Sequence, residues 1–314
     1  MKFLRSHLVT CLLVALWCLL VAVVLLFQPT MLDPINLTAL LQFATVLALV
    51  ALGQALVVLS GGAGIDLSVG GNVSLSAVVG MMALDAGAPA FLLPAICVLC
   101  GLLLGLFNGL LIARLKIWPL IVTLGTFYAW SGLALALTGG AALSGVPREL
   151  LPWGRGALAA IPLPFLCCVL PAFILAWGIL QFTSWGRWIY AMGFNERSAR
   201  LVGIPVDRLR LLIYGICGAL AGCAGFITLA WLGSGRPNVG VNLELESLTA
   251  ALLGGMAIFG GRGGAIGVLA ATLLLVAIKT SLLQFGINTV WQVGVVGLLL
   301  IIVLLADRFS SYRR

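Results

Sequence analysis

Long apolar runs, broken by Gly, Pro or charged residues, recur from one end of the chain to the other. Measured against the roughly 20 residues a helix needs to cross a bilayer, ten of them stand out as candidate spans. They are Leu8 to Phe27, Leu37 to Leu59, Leu67 to Leu84, Phe91 to Ala113, Pro119 to Leu137, Leu163 to Phe182, Leu211 to Leu232, Leu248 to Phe259, Ala265 to Leu283 and Val290 to Ala306. The eighth is short. It lies between Glu244 and Glu246 on one side and GGRGG (Gly260 to Gly264) on the other, which predicts a helix that is tilted, broken or extended through its acidic lead-in. The pattern predicts an all-α integral membrane protein of about ten transmembrane helices, forming a single transmembrane domain over residues 1–314.

Charge placement sets the orientation. With the N-terminus inside, alternating spans put Lys2, Arg5, Arg114, Lys116, Arg187, Arg197, Arg200, Arg208, Arg210, Arg262, Arg308, Arg313 and Arg314 on the cytoplasmic side, thirteen of 17 basic residues. Arg148, Arg155, Arg236 and Lys279 fall outside or within a span. Both termini are therefore expected in the cytoplasm, and the net charge of +8 needs no nucleic acid to explain it. The first run resembles the core of a signal peptide, but it is too long for one and no small-residue cleavage site follows, so it reads as a membrane helix. A charged share of 8%, against about 25% in soluble domains, agrees with a chain surrounded by lipid.

GGAGIDLSVGG, Gly61 to Gly71, places Asp66 among five glycines between two uncharged runs. An ionisable group at membrane depth is costly unless it faces protein or water, and clustered glycines let a helix break. Two readings stand: a broken helix lining a cavity or closing one membrane face, or a cytoplasmic turn in which Asp66 caps the next helix. Gln54, Ser60, Ser68, Asn72, Ser74, Asn108, Thr123 and Thr126 add hydrogen-bonding groups within the spans. They can tie helices together, each worth about 0.6 kcal/mol; the resemblance drawn below from four sequence blocks adds the expectation that they line or gate a translocation pathway.

Two segments outside the spans are long enough to act. Gly139 to Pro162, on the outer side, carries Arg148, Glu149, Trp153 and Arg155 and suits a short surface helix or a partner contact. Thr183 to Arg210, on the inner side, is the most polar part of the chain. Within it Asn195 is a good N-cap, Glu196 to Val202 a two-turn helix, Gly203 a C′ residue, and Pro205 blocks continuation. So short a helix is not stable by propensity, so it should rest on the membrane domain, on another protein, or on both.

Other chemistry has no visible apparatus. There is no GxxxxGK[ST] phosphate loop, no HExxH and no GxSxG. The eight cysteines lie in apolar runs, and although Cys97 and Cys100 have CxxC spacing, His7 is the sole histidine, so packing thiols fit better than a metal site.

Four blocks, in order, carry a resemblance: GIDLSVG (Gly64 to Gly70), NGLLIARLKIWPLIVTLGT (Asn108 to Thr126), GRWIYAMGFNERSARLVGI (Gly186 to Ile204) and ELESLTAALLGGMAIFGGRGGAIG (Glu244 to Gly267). Together they resemble the permease subunits of ribose-type ATP-binding cassette sugar importers, in the larger family that also holds branched-chain amino acid permeases. The resemblance implies a transport subunit of the bacterial inner membrane, not an enzyme. It implies a second permease chain, a cytoplasmic ATPase that carries ATP and magnesium, and a periplasmic sugar-binding protein, with no cofactor on this chain. It also implies that the third block is the coupling loop (183–210), with Asn195, Glu196, Arg197, Arg200 and Gly203 docking the ATPase. Relatives usually read NEEAARLSG there, so Arg197 replaces an acid and Ser198 an alanine, which points to a pairing tailored to its own ATPase.

Two other classes compete with this reading. An ion-coupled secondary transporter would use Asp66 as its titrating group, with Gly61 to Gly71 and Gly260 to Gly264 as broken helices. A membrane enzyme or scaffold would need no binding protein.

Overall fold

The computed structural model describes residues 8–311, among which thirteen α-helices form. They are α1 (Leu8–Phe27), α2 (Pro34–Leu59), α3 (Val69–Asp85), α4 (Leu93–Ala113), α5 (Pro119–Thr138), α6 (Pro152–Arg155), α7 (Leu170–Phe182), α8 (Ser184–Phe194), α9 (Glu196–Leu201), α10 (Val206–Leu232), α11 (Leu243–Leu253), α12 (Ala265–Gln284) and α13 (Thr289–Ser311). Each of the ten expected spans contains a helix, and eight are long and apolar enough to cross a membrane. Met1 to His7 and Tyr312 to Arg314, with the terminal basic residues assigned above, lie outside the described residues.

The eighth span differs from its expected bounds. Its helix starts five residues earlier, because Glu244 and Glu246 occupy the first turn, where the helix dipole favours acids. It stops at Leu253, where Gly255 takes the left-handed conformation. At about 1.5 Å per residue α11 is roughly 16 Å long, half of a bilayer core.

The bundle is centred on α2 and α10, which are buried along most of their length. Against α10, α4 packs with no side chain between the backbones. A Cβ on Gly101 would lie 2.3 Å from the Gly218 carbonyl oxygen, and one on Gly105 would lie 2.2 Å from that of Tyr214. This is the small-residue contact by which membrane helices approach closely.

Past α10 the chain turns back into the bundle. β4 (Ser234–Gly235) pairs antiparallel with β1 (Leu143–Ser144), and residues 236–242 then run along α3. Gly235 lies against Met81, while the Gly240 amide donates to Ser74 Oγ at 3.0 Å and a Cβ on Gly240 would sit 1.9 Å from the Gly70 carbonyl oxygen. Met81 and Gly70 are eleven helical residues apart, about 16 Å, so the segment re-enters deeply before α11 completes the crossing.

The segment 139–162 holds the one-turn α6 and a hairpin of β2 (Ala157–Leu158) and β3 (Ile161–Pro162). It is tied down by Arg155 Nε, which donates to the Trp231 carbonyl at 2.7 Å. The polar segment 183–210 holds two helices, where the sequence reading expects one. α8 buries Gly186, Ile189, Met192 and Gly193, an apolar face at helical spacing, while Trp185 and Phe194 stay exposed.

Candidate coupling site

α9 owes its ends to local chemistry. Asn195 has extended backbone and its Oδ1 accepts the Ser198 amide at 3.0 Å. At the other end Gly203 has φ of +83°, its amide donates to the Arg200 carbonyl at 3.1 Å, and the Ile204 amide donates to the Ala199 carbonyl at 3.1 Å. That pair of bonds is a Schellman cap, which satisfies carbonyls the helix would otherwise leave orphaned.

Capping alone does not hold a helix of six residues. Ala199 is the single buried residue of α9, and ion pairs do the rest. Glu196 bonds Arg200 on one side and Arg210 on the other, each at 2.8 Å; Arg200 also meets Asp207, which in turn meets Lys116. This chain of charges ties α9 to the first turns of α10 and to the α4–α5 turn. Burial pushes the Glu196 carboxyl up, but hydrogen bonds from Arg210 and Arg200 outweigh it and hold the group below the usual glutamate range. Asp207, then Glu196, holds the Arg200 guanidinium protonated more firmly still. Arg210 is buried, and its guanidinium closes over Gly62, where a Cβ would come within 2.7 Å.

Beneath α9 three stretches distant in sequence touch through glycine. A Cβ on Gly193 would lie 2.0 Å from the Leu59 carbonyl oxygen and 2.4 Å from the Gly261 nitrogen, and one on Gly260 would lie 2.5 Å from Gly61 Cα. The Gly261 amide donates to the Leu59 carbonyl at 3.0 Å, and Tyr190 Oη donates to the Gly263 carbonyl at 2.8 Å. The end of α2, the end of α8 and the α11–α12 turn therefore meet directly, two residues from the α9 cap. At these contacts no side chain separates the end of α8 from either broken region of the bundle.

The outward surface here is partly apolar. Phe194 is 83% exposed, Leu201 88% and Val202 76%, beside exposed Arg197 and a groove of about 440 Å³ bordered by Arg114, Arg200, Gly203 and Arg208. Exposed apolar side chains grouped in a polar segment mark an interaction surface. Sequence reasoning passed over Phe194, Leu201 and Val202; their position immediately beside the cap signals was the available sign.

The polar residues at membrane depth form a second cluster. Leu59 is followed by Gly61, Gly62 and Ala63, all with left-handed backbone, so the chain breaks rather than bends. Asp66 Oδ1 then accepts the Ser68 amide at 2.9 Å and Ser68 Oγ at 2.6 Å, and Asn108 Nδ2 donates to Ser68 Oγ at 2.7 Å. Thr123 Oγ1 donates to the Ile65 carbonyl at 3.2 Å, and Asn72 Nδ2 to the Gly101 carbonyl at 3.2 Å. Asp66 thus ties down the turn entering α3 and shares a buried network with α4 and α5. Ser60 and Thr126 bond carbonyls of their own helices, and Ser74 holds Gly240. Gln54 is fully buried with neither amide atom partnered. None of Gln54, Asp66, Ser68, Asn72, Asn108, Thr123 and Thr126 borders the groove beside α9.

Comparison with known proteins agrees with this architecture. Over 295 residues the chain is 36% identical to the ribose import permease protein of Bacillus subtilis (strain 168), covering 93% of this chain and 91% of that one. It is 35% identical over 312 residues to the autoinducer 2 import system permease protein LsrD of Klebsiella pneumoniae, covering 95% and 92%. It is 32% identical over 292 residues to the ribose import permease protein of Escherichia coli (strain K12), covering 92% and 90%. Residues 36–304 match the family described as branched-chain amino acid transport system / permease component. With eight helices among the described residues long and apolar enough to cross a membrane, this chain is a multi-pass inner-membrane transport subunit and belongs to that permease family.

Proposed function

We propose that this chain is the membrane-spanning subunit of an ATP-binding cassette importer that moves a monosaccharide, a ribose-like pentose, a hexose or a furanose, into the cell by alternating access. The names of the ribose and autoinducer 2 import permeases support an import role. The observation that carries the reading is the construction of α9: capped at both ends, bonded through Glu196 to buried Arg210, seated two residues from the Gly61–Gly193–Gly260 contact, and flanked by exposed Phe194, Leu201 and Val202. Those features suit a small rigid block that another protein pushes.

In this mechanism two permease chains assemble with two ATPase domains, which hold ATP and magnesium, and a soluble binding protein delivers sugar on the outer side. Both termini and α9 lie in the cytoplasm. Nucleotide-driven closure displaces Asn195, Glu196, Arg197, Arg200 and Gly203 with the bound ATPase, and the glycine contact passes the displacement to the Asp66 turn and to α11. The cavity then exchanges outward for inward access, a two-state element biased by nucleotide. The network of Asp66, Ser68, Asn108 and Thr123 keeps the broken segment closed in one state and opens in the other, with Asn72, Thr126 and Gln54 as further polar groups along the pathway.

Uptake in sealed vesicles tests this. Transport that needs ATP, the co-expressed ATPase and the binding protein is the expected result; uptake driven by a proton or sodium gradient alone would replace it with the secondary-transporter reading.

A further inference from the structure

At the α6 end of the bundle, opposite α9, a cavity of about 360 Å³ opens among α2, α10, α11, α12 and α13. That volume falls within the range of small-molecule sites. Glu246 and Lys279 line it and are paired at 2.7 Å, their side chains 13% and 31% exposed. Lys279 belongs to a helix long and apolar enough to cross a membrane, and ionisable groups in such helices face a partner or a water-filled space and mark solute pathways. Phe43 and Trp231 share the wall, edge to face with ring centres 5.0 Å apart. Thr280 also faces the cavity; its hydroxyl donates to the Val276 carbonyl at 2.8 Å, which leaves its lone pairs free to accept.

This lining has a defined chemical preference. The carboxylate accepts from neighbouring hydroxyls, the ammonium donates to a ring or hydroxyl oxygen, and the indole offers a flat apolar surface to the C–H face of a ring. Because the two charges cancel, the site carries no net attraction for an anion such as a sugar phosphate. We propose that this cavity is a binding site for a neutral monosaccharide on the outer half of the pathway, with Glu246 and Lys279 as its polar contacts and Trp231 as its stacking surface. The assignment rests on the reading of the chain as a monosaccharide permease.

The test uses Thr280→Cys in the full-length chain in lipid nanodiscs, labelled with a charged methanethiosulfonate reagent and read by mass spectrometry against the native cysteines. The expected result is that position 280 is labelled, that D-ribose, D-xylose or D-galactose slows the labelling, and that L-leucine does not. Adding Glu246→Gln keeps the labelling and raises the protecting sugar concentration about tenfold, the loss of one charged hydrogen bond. No labelling, as in a lipid-filled crevice, would overturn the proposal, as would labelling that none of the three sugars slows or that L-leucine slows equally. The experiment needs no ATPase, so its failure leaves ATP-driven uptake standing, and absence of ATP-driven uptake does not alter its outcome.

Discussion

The Glu196 carboxylate and the Arg210 guanidinium meet at 2.8 Å across a boundary, since the arginine side chain is only 8% exposed while the glutamate side chain is 32% exposed. One partner is anchored in the bundle, the other rides on α9. Removing the glutamate would strand a buried cation.

Glu196→Gln is therefore expected to loosen α9 by about 1.5–3 kcal/mol, at the lower end because the glutamate is partly solvated. Amide hydrogen exchange over residues 196–204 should speed up in this variant, with exchange in α4 and in α10 beyond its first turns unchanged. Unchanged exchange at α9 would show that the pair is incidental.

Acid should act through the same group. Because Arg210 and Arg200 hold the Glu196 carboxyl below its ordinary value, its stabilising contribution is complete at neutral pH and is lost as pH falls through that lowered value. Protection of α9 from exchange is expected to persist to a lower pH than an unperturbed glutamate, near 4.3, would allow. The Glu196→Gln variant should lack this acid transition.

Gly193→Ala tests the backbone contact beneath α9. With the Leu59 oxygen 2.0 Å from the added carbon, α8 must shift, at a cost of about 1–3 kcal/mol typical of overpacking. Reduced thermal stability and reduced ATP-coupled uptake are expected together. Wild-type melting and transport would mean the contact yields easily.

Gly203→Val probes the cap alone, since no atom lies within 4 Å of a Cβ placed there and the strain comes from φ of +83°. Such a residue in the left-handed region costs roughly 1–2 kcal/mol. Uptake should fall while the protein remains folded; normal transport with normal ATPase stimulation would contradict a coupling role.

At Asp66 the two obvious substitutions should differ. Asparagine keeps an oxygen to accept the Ser68 amide and hydroxyl, whereas alanine removes both bonds and leaves buried Ser68 unmatched. Asp66→Ala is expected to lower expression and uptake well below Asp66→Asn. Equal wild-type uptake in both would make the carboxylate dispensable.

What could be read from sequence was local. The α9 boundaries follow from Asn195, Gly203 and Pro205 because capping acts within a few residues. Most spans follow from apolar length. α8 was hidden because its buried face, Gly186, Ile189, Met192 and Gly193, is interrupted by polar and aromatic neighbours that lower the apolar signal. The start of α11 was left open among a tilted, a broken and an extended helix because its first turn is acidic, which hydropathy treats as an end and helix electrostatics as a beginning; the helix extends through it. The meeting of Gly61, Gly193 and Gly260, and the pairing of Glu246 with Lys279, depend on segments that only the folded chain brings together.

The passage of residues 236–242 beside α3 has a consequence for hydration. Its peptide groups run unpaired by helix or sheet at the depth of Gly70, and hydrocarbon offers no donors or acceptors to them. They must be met by neighbouring protein, as Ser74 Oγ meets the Gly240 amide at 3.0 Å, or by water, so this passage cannot be turned toward lipid.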